Sequence, residues 1–366
     1  GIVFILPCIG LDRKLVMRNS VIVIPAYEPS SRLIDRVNEL VSNGFEKIVV
    51  IDDGSGSEYQ AIFDVLSKHC KILHHEVNQG KGAALKTGFC YYLQHWYQLP
   101  GVITMDADGQ HSVQDIIKME ETMNSSEEGL FIGTRDVDLA SFPDSRKGYV
   151  KATRTMFKLL YGVKLQDTES GLRGISQVYV PFLLDANGER FDYETNMLME
   201  AIHYHFPITE VPIETIFFKA ENDSHFNPIT DAFKTYMQLM KEFVKYSITS
   251  LMASGIDIVV YTVLLVLMRD LPEVTGIFVS TAIARVISSF ANYCFNSKLV
   301  FNNHDDMRKT IIKYYFLCGI QMICSACTVY GLSQLIPITT VVIKALVDIT
   351  LFFVFYRVQK FWVFKN

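Results

Sequence analysis

From residue 21 the chain alternates short aliphatic runs with amphipathic stretches. "VIVIPA" (21–26), "KIVVID" (47–52), "KILHHE" (71–76) and "GVITMDAD" (101–108) read as strands, with helices between them over 31–42, 58–68 and 81–96. Alternation at this spacing predicts an α/β domain with a mostly parallel sheet and crossover helices. Ligands of such sheets bind beyond the carboxyl ends of the strands. "PAYEP" (25–29), "DDGSGS" (52–57), "NQGKG" (78–82) and "DADGQH" (106–111) each follow a strand, so the topology gathers these polar clusters on one rim.

After residue 246 the pattern changes to four apolar spans of bilayer length, near 246–268, 274–296, 311–335 and 338–356, which predict an all-α four-helix membrane domain. The amphipathic "FNPITDAFKTYMQLMKEFVKY" (226–246) precedes them and is either an interfacial segment or an ordinary packed helix. Lys298, Arg308, Lys309 and Lys313 cluster between the second and third spans, and Arg357, Lys360 and Lys365 follow the fourth. By the positive-inside rule the soluble domain and the C-terminus are then cytoplasmic. The opening "GIVFILPCIGL" is too short to span a bilayer and lacks a basic flank, and Met17 precedes the first folded pattern. The expected organisation is a dispensable extension at 1–16, the α/β domain at 17–225, the amphipathic segment at 226–246 and the membrane domain at 247–366.

Charge follows the same division. Residues 247–366 hold 10 Lys and Arg against 6 Asp and Glu, leaving 24 against 33 before them, so the net charges are +4 and −9. An acidic soluble domain argues against general nucleic-acid binding, which needs a basic face. The seven scattered cysteines suggest neither a disulfide framework nor a zinc site.

The chemistry concentrates in the strand-end clusters. Asp106 and Asp108, one residue apart before a turn at Gly109, present hard oxygens suited to Mg²⁺ or Mn²⁺ shared with substrate phosphates, and Gln110 can add a neutral oxygen. An Asp-rich turn is the plainer alternative for this stretch alone. Ser112 with Asp115 reads as the cap of the following helix. At "DDGSGS", Asp53 is read as a ligand contact, while Asp52 stays open between ligand and turn. "NQGKGAALKTG" lacks the spacing and the Ser or Thr of a P-loop. Lys81 at its helix start is a diphosphate contact or a solvated lysine. Arg135 in "GTR", Arg146 in "DSRKG" and Arg173 in "DTESGLRG" occupy turn-rich positions where a guanidinium can grip phosphate.

Taken in order, "VIVIPAYEP", "VVIDDGS", "NQGKGAALKTG", "MDADGQH", "IGTR" and "DTESGLRG" resemble the family 2 glycosyltransferases of GT-A fold, and among them the polyprenyl-phosphate sugar synthases related to dolichyl-phosphate mannose synthase. "VISSFANYCFNSKLVF" and "RVQKFWVF" resemble the GtrA family of four-helix membrane domains. The resemblance implies inverting transfer of a hexose from a UDP- or GDP-sugar to polyprenyl (undecaprenyl or dolichyl) phosphate at the cytoplasmic face of the bilayer. It further implies nucleotide contacts at Pro25, Tyr27, Glu28 and Asp53, and metal and diphosphate at Asp106, Asp108 and Gln110. The acceptor phosphate would meet Arg135 and Arg146. The resemblance leaves oligomeric state open, a homo-oligomer included.

A phosphate acceptor has a second pKa of about 6 and arrives anionic, so no general base is required. The protein must screen two anions, orient attack and stabilise the leaving diphosphate. His111 is then a structural or supporting group. The competing reading is an accessory or flippase-type protein whose membrane part moves a lipid-linked sugar. Asp257, Arg285, Lys344 and Asp348 lie within the spans and are expected to pair there.

Overall fold

The computed structural model describes residues 18–136, 138, 144–190, 192–214, 230–270, 272–303, 306–335 and 339–364. The extension at 1–16 and the boundary at 225 lie outside them. The chain divides into two compact units, one of residues 1–154 with 165–234 and one of residues 155–164 with 235–366.

The first unit runs β1 (Val21–Ala26), α1 (Arg32–Ser42), β2 (Ile48–Asp52), α2 (Gln60–Leu66), β3 (Lys71–His74), α3 (Lys81–His95), β4 (Gly101–Thr104), α4 (Val113–Ser125), β5 (Leu130–Thr134), α5 (Asp144–Met156), β6 (Arg173–Ser176), α6 (Val180–Leu184), α7 (Asp192–His203) and β7 (Ile208–Pro212). α5 passes into the second unit at its last turn. Every residue of β1 and β2 is buried, as expected of strands covered on both faces, whose sequences are continuous apolar runs. α1 packs Leu33, Val37 and Leu40, spaced by four and three residues, into the core that Ile22, Ile24, Val50 and Ile103 build beneath it. Ser112 caps α4: its Oγ accepts from the Asp115 amide at 3.1 Å and donates to the Asp115 carboxylate at 2.7 Å.

The seven strands are ordered β3-β2-β1-β4-β6-β5-β7. β3, β2, β1 and β4 are mutually parallel, and β5 and β7 are parallel to each other. β6 is antiparallel to both β4 and β5, with Thr104 opposite Arg173. β6 therefore starts on the rim where β1 to β5 end. The strand order reverses between β1 and β4, the switch point where an open α/β sheet leaves a crevice.

The second unit contains α8 (Thr230–Leu267, which starts just before the unit does), α9 (Glu273–Phe295), α10 (Met307–Leu335) and α11 (Thr340–Val358). α8 is one continuous helix, so the amphipathic stretch and the first span expected as separate elements are joined. Within its first turns Leu239, Phe243 and Tyr246 are buried, at spacings of four and three, while Phe233 and Met237 are exposed. Among the described residues, Phe233–Leu267, Val274–Val300 and Met307–Leu335 are long and apolar enough to cross a membrane. α11 lies where the fourth span was expected. The polar residues inside the spans pair: Asp257 with Arg285 at 3.8 Å and with Ser288 at 2.7 Å, and Asp348 with Lys344 at 2.7 Å and Ser325 at 2.9 Å.

The two hairpins of this unit repeat one another. α9 and α11 each end in a π-helical turn, Asn296–Val300 and Gln359–Val363. Lys245-Tyr246 on α8 matches Lys313-Tyr314 on α10, and Tyr293, Asn296 and Phe301 match Tyr356, Gln359 and Phe364. Contacts exchange in the same way. Tyr293 meets Phe364 at 5.7 Å and Tyr356 meets Phe301 at 6.0 Å, while Tyr246–Tyr356 at 5.2 Å mirrors Tyr314–Tyr293 at 5.5 Å. At the centre the Asn296 amide donates to Gln359 Oε1 at 3.1 Å.

Candidate active site

Along the rim, β1 ends with Pro25 buried inside the strand and Tyr27 and Glu28 half-buried beyond it. Pro25 thus shapes the strand's exit. Glu28 takes a left-handed conformation (φ 49°), with its amide donating to Ser55 Oγ at 2.9 Å.

Asp53 is buried just beyond β2. It is 2% exposed, and its oxygens are taken by the chain itself: Oδ1 lies 2.7 Å from His75 Nδ1 and accepts from the Gln79 amide at 3.0 Å, and Oδ2 accepts from the Gly80 amide at 2.8 Å. Residues 77 and 78 lie directly over Gly54, where a Cβ would come within 2.4 Å of the Val77 carbonyl carbon. The carboxylate is walled in and clasps the loop before α3. Asp52 is likewise engaged, by the Ser55 amide and His74 Nδ1, each at 2.9 Å.

The start of α3 is also partly filled from within. The Ala83 amide donates to Glu189 O at 3.0 Å, and a Cβ on Gly80 would lie 2.4 Å from that same carbonyl. Gly80 and Gly82 thus admit Glu189 and Tyr193 beside the helix start. Lys81 points its ammonium between two carboxylates, 2.7 Å from Asp106 Oδ1 and 2.9 Å from Glu194 Oε2. Burial alone would lower its pKa, and the two anions raise it instead.

Asp106 and Asp108 follow β4, and Gly109 (φ 79°) turns the loop so that the Gln110 amide donates to Asp108 Oδ1 at 2.9 Å. Arg36 Nη2 holds the Gly109 carbonyl at 3.1 Å. Burial pushes the Asp106 carboxyl upward, but Lys81 and then His111 overcome it and hold the group well below the usual carboxylate range. Asp108 is pushed up, first by burial and then by the charge of Asp106. His111 is buried, and its Nε2 lies 3.5 Å from Asp106 Oδ2 without a hydrogen-bond partner. On its other side Asp106 rests against Gly171, where a Cβ would fall 2.4 Å from Oδ1 and 2.5 Å from Oδ2.

Arg135 follows β5 and grips Asp167 through Nε at 2.6 Å and Nη2 at 3.2 Å, within the field of Asp106 and Glu169. Arg146 lies on α5, and its side chain is outside the described residues. Arg173 is turned into the domain. Its side chain is wholly buried, donating to Ser170 O at 3.1 Å, to Thr168 O at 3.2 Å and to Glu194 O. It ties the 167–173 loop to α7. In that loop, burial first and then Asp167 and Glu194 push Glu169 up to about 7, against the opposing Thr168 hydrogen bond and Arg173 charge.

Sequence reasoning passed over Glu194, Asp167, His75 and Gly171. Glu194 had a legible signal, because it shares the spacing of Met197, Leu198 and Ala201 on the buried face of α7. A carboxylate in an apolar stripe requires a partner. The others depend on contacts between segments distant in sequence.

Among the described residues no three His, Cys, Asp or Glu side chains gather as a metal cluster. The Asp106–Asp108 pair nonetheless fits a hard divalent ion that takes its remaining oxygens from Gln110, water and phosphate. The unpartnered nitrogen of buried His111, beside Asp106, is a polar atom that such a site could engage.

Residues 21–180 match the model of glycosyl transferase family 2, and residues 245–364 match that of the GtrA/DPMS transmembrane domain. The chain is 28% identical over 226 residues to an uncharacterized protein of Methanocaldococcus jannaschii, covering 60% of this chain and 90% of that one. It is 28% identical over 217 residues to the UDP-N-acetylglucosamine–dolichyl-phosphate N-acetylglucosaminyltransferase of Methanococcus voltae, covering 54% and 85%. Among solved structures, the glucosyl-3-phosphoglycerate synthase of Mycobacterium tuberculosis in complex with Mn²⁺, UDP and phosphoglyceric acid aligns with a TM-score of 0.47 at 14% identity, over 61% of this chain and 78% of that one. The chain thus joins a glycosyl transferase family 2 domain to a GtrA/DPMS transmembrane domain.

Proposed function

We propose that this glycosyltransferase moves a hexose from a UDP- or GDP-sugar to polyprenyl phosphate, with inversion, at the cytoplasmic face of the membrane. The observation that carries the reading is the convergence of Asp106, Asp108, Lys81 and Arg135 on one rim of a chain that also holds three helices of bilayer length. The name of the Methanococcus voltae relative supports a nucleotide-sugar donor and a polyprenyl-phosphate acceptor.

In this reading Tyr27 and Glu28 line the nucleotide side of the crevice, while Asp106, Asp108 and Gln110 would hold Mg²⁺ or Mn²⁺. The ion, when bound, screens the donor diphosphate and stabilises its departure. Lys81 offers a second cation at the same edge. Arg135, held bidentately by Asp167, brings a fixed positive charge toward the incoming phosphate. The acceptor is already ionised, so these groups orient and screen, and none has to remove a proton.

The test incubates purified full-length protein with polyprenyl phosphate, Mg²⁺ or Mn²⁺ and a panel of radiolabelled UDP- and GDP-sugars, N-acetylhexosamines included. Label is expected in the lipid fraction with one donor and is expected to vanish in Asp108→Ala. No labelled lipid with any donor, or full activity in that variant, would sink the proposal.

A further inference from the structure

The Lys81 ammonium occupies the position on Asp106 where a divalent ion would sit. It lies 2.7 Å from Oδ1, while Asp106 Oδ2 faces the unpartnered Nε2 of buried His111. An ammonium and a metal on one carboxylate repel each other, so each weakens the other's hold on Asp106. Lys81 therefore needs somewhere to go when an ion arrives.

Glu194 offers that place. It is 7% exposed and fixed at the first turn of α7, where Arg173 grips its carbonyl. Its Oε2 already accepts from Lys81 at 2.9 Å, while its Oε1 is buried and has no hydrogen-bond partner. A buried acceptor without a donor is costly, and an ammonium carries three donors. A rotation of Lys81 away from Asp106 onto both Glu194 oxygens would satisfy the orphaned oxygen and clear Asp106 in one motion. The ammonium would stay at the rim, with a donor still available to a diphosphate.

We propose that Lys81 is a placeholder cation on Asp106 in the enzyme without donor, and that Glu194 is the positioning residue that draws it aside when the divalent ion binds. This rests on the reading of Asp106 and Asp108 as the metal seat. In the resting state the placeholder offsets part of the repulsion among three clustered carboxylates, Asp106, Asp108 and Glu194, and keeps the DxD loop in its binding shape. It also sets a threshold for the metal, which must displace a bound ammonium.

The experiment titrates full-length protein in detergent with Mn²⁺ alone, following free Mn²⁺ by electron paramagnetic resonance. A wild-type site that is lost in Asp108→Asn supports the metal seat; equal binding in the two would overturn the seat and the placeholder together. Given the seat, Lys81→Gln is expected to bind Mn²⁺ about tenfold more tightly, because a competing charge is gone, and Glu194→Gln about tenfold more weakly. The double variant is expected to behave like Lys81→Gln, since Glu194 acts through the lysine. Unchanged or weaker binding in Lys81→Gln would overturn the proposal, as would a Glu194→Gln effect that persists undiminished without Lys81. Should Lys81→Gln fail to fold, Glu194→Asp decides it: this variant keeps the charge and is expected to retain most of the affinity that Glu194→Gln loses, and equal loss in the two would count against the placeholder.

Discussion

Gly171 shows how tightly single residues set the rim. A methyl group there would meet both carboxylate oxygens of Asp106, so Gly171→Ala must move the carboxylate that the proposed donor site depends on. A displacement near 1 Å costs about a hundredfold in rate. Transfer to polyprenyl phosphate is expected to fall by about that factor while the thermal transition of the protein stays in place; near wild-type transfer would show that Asp106 tolerates the shift. Arg173 predicts the opposite pattern. Arg173→Ala strips donors from three buried carbonyls, each costing about 1–3 kcal/mol when left unpaired, so protease resistance of the domain is expected to drop together with activity. Glu169 gives a pH dependence. Its folded-state value of about 7 lies above the ordinary 4.5, so its contribution to stability is full below about 4.5 and is lost as pH rises through 7. Glu169→Gln mimics the protonated acid, and its melting temperature is expected to match wild type at pH 5 and exceed it at pH 8. The sequence singled out the acidic loop, Arg135 and Lys81 as candidates because polar residues at strand ends have few other reasons to be there. It did not reveal the surroundings of Asp53 and Arg173, because residue type announces a charge, whereas only the folded chain brings up partners such as the His75 ring, the Gln79 and Gly80 amides and the Glu194 carbonyl, more than twenty residues away.

At the scale of elements, the parallel half of the sheet was legible because strands buried on both faces leave unbroken apolar runs between helical stretches. The antiparallel insertion of β6 was not, since four residues, Arg173–Ser176, carry no directional signal. The join of the amphipathic stretch to the first span was hidden for a related reason: composition changes near residue 246 while the helix does not. The two membrane hairpins meet through buried amides, Asn296 with Gln359 and Gln359 Nε2 with the Tyr246 hydroxyl at 3.1 Å, and Thr249 donates to Asn296 Oδ1 at 2.8 Å. Such a network stabilises a bundle only while every member is satisfied. Asn296→Leu is therefore expected to cost about 1–3 kcal/mol, read as a lower melting temperature in detergent. Exchanging the two amides, Asn296→Gln with Gln359→Asn, is expected to recover part of it. An Asn296→Leu protein as stable as wild type would show that the network adds nothing.

For the whole molecule, the division into units does not follow the order of the sequence. Residues 155–164 sit between α5 and the 167–173 loop in the chain, yet they belong with 235–366. Phe157, Leu160 and Tyr161 are buried, the Tyr161 hydroxyl donates to Leu239 O at 3.2 Å, and Lys360 lies 4.1 Å over the Tyr161 ring. Gly162 (φ 77°) leaves no room for a side chain beside Arg357, whose Nη2 would be 2.5 Å from a Cβ. A chain ended after Lys234 thus keeps the donor-site rim but uncovers three large apolar side chains. Exposing each costs about 1.5–3 kcal/mol, so the truncated protein is expected to bind detergent or to associate in its absence, despite having no bilayer-length helix among its described residues. Replacing Phe157, Leu160 and Tyr161 by serine in the truncated chain is expected to make it monodisperse in detergent-free buffer, as measured by size-exclusion chromatography with light scattering. The same triple replacement in the full-length chain is expected to lower the melting temperature of the membrane unit. A truncated wild-type chain that is monomeric without detergent would mean that the segment needs no cover, and the glycosyltransferase domain would then be separable from its membrane partner at residue 234.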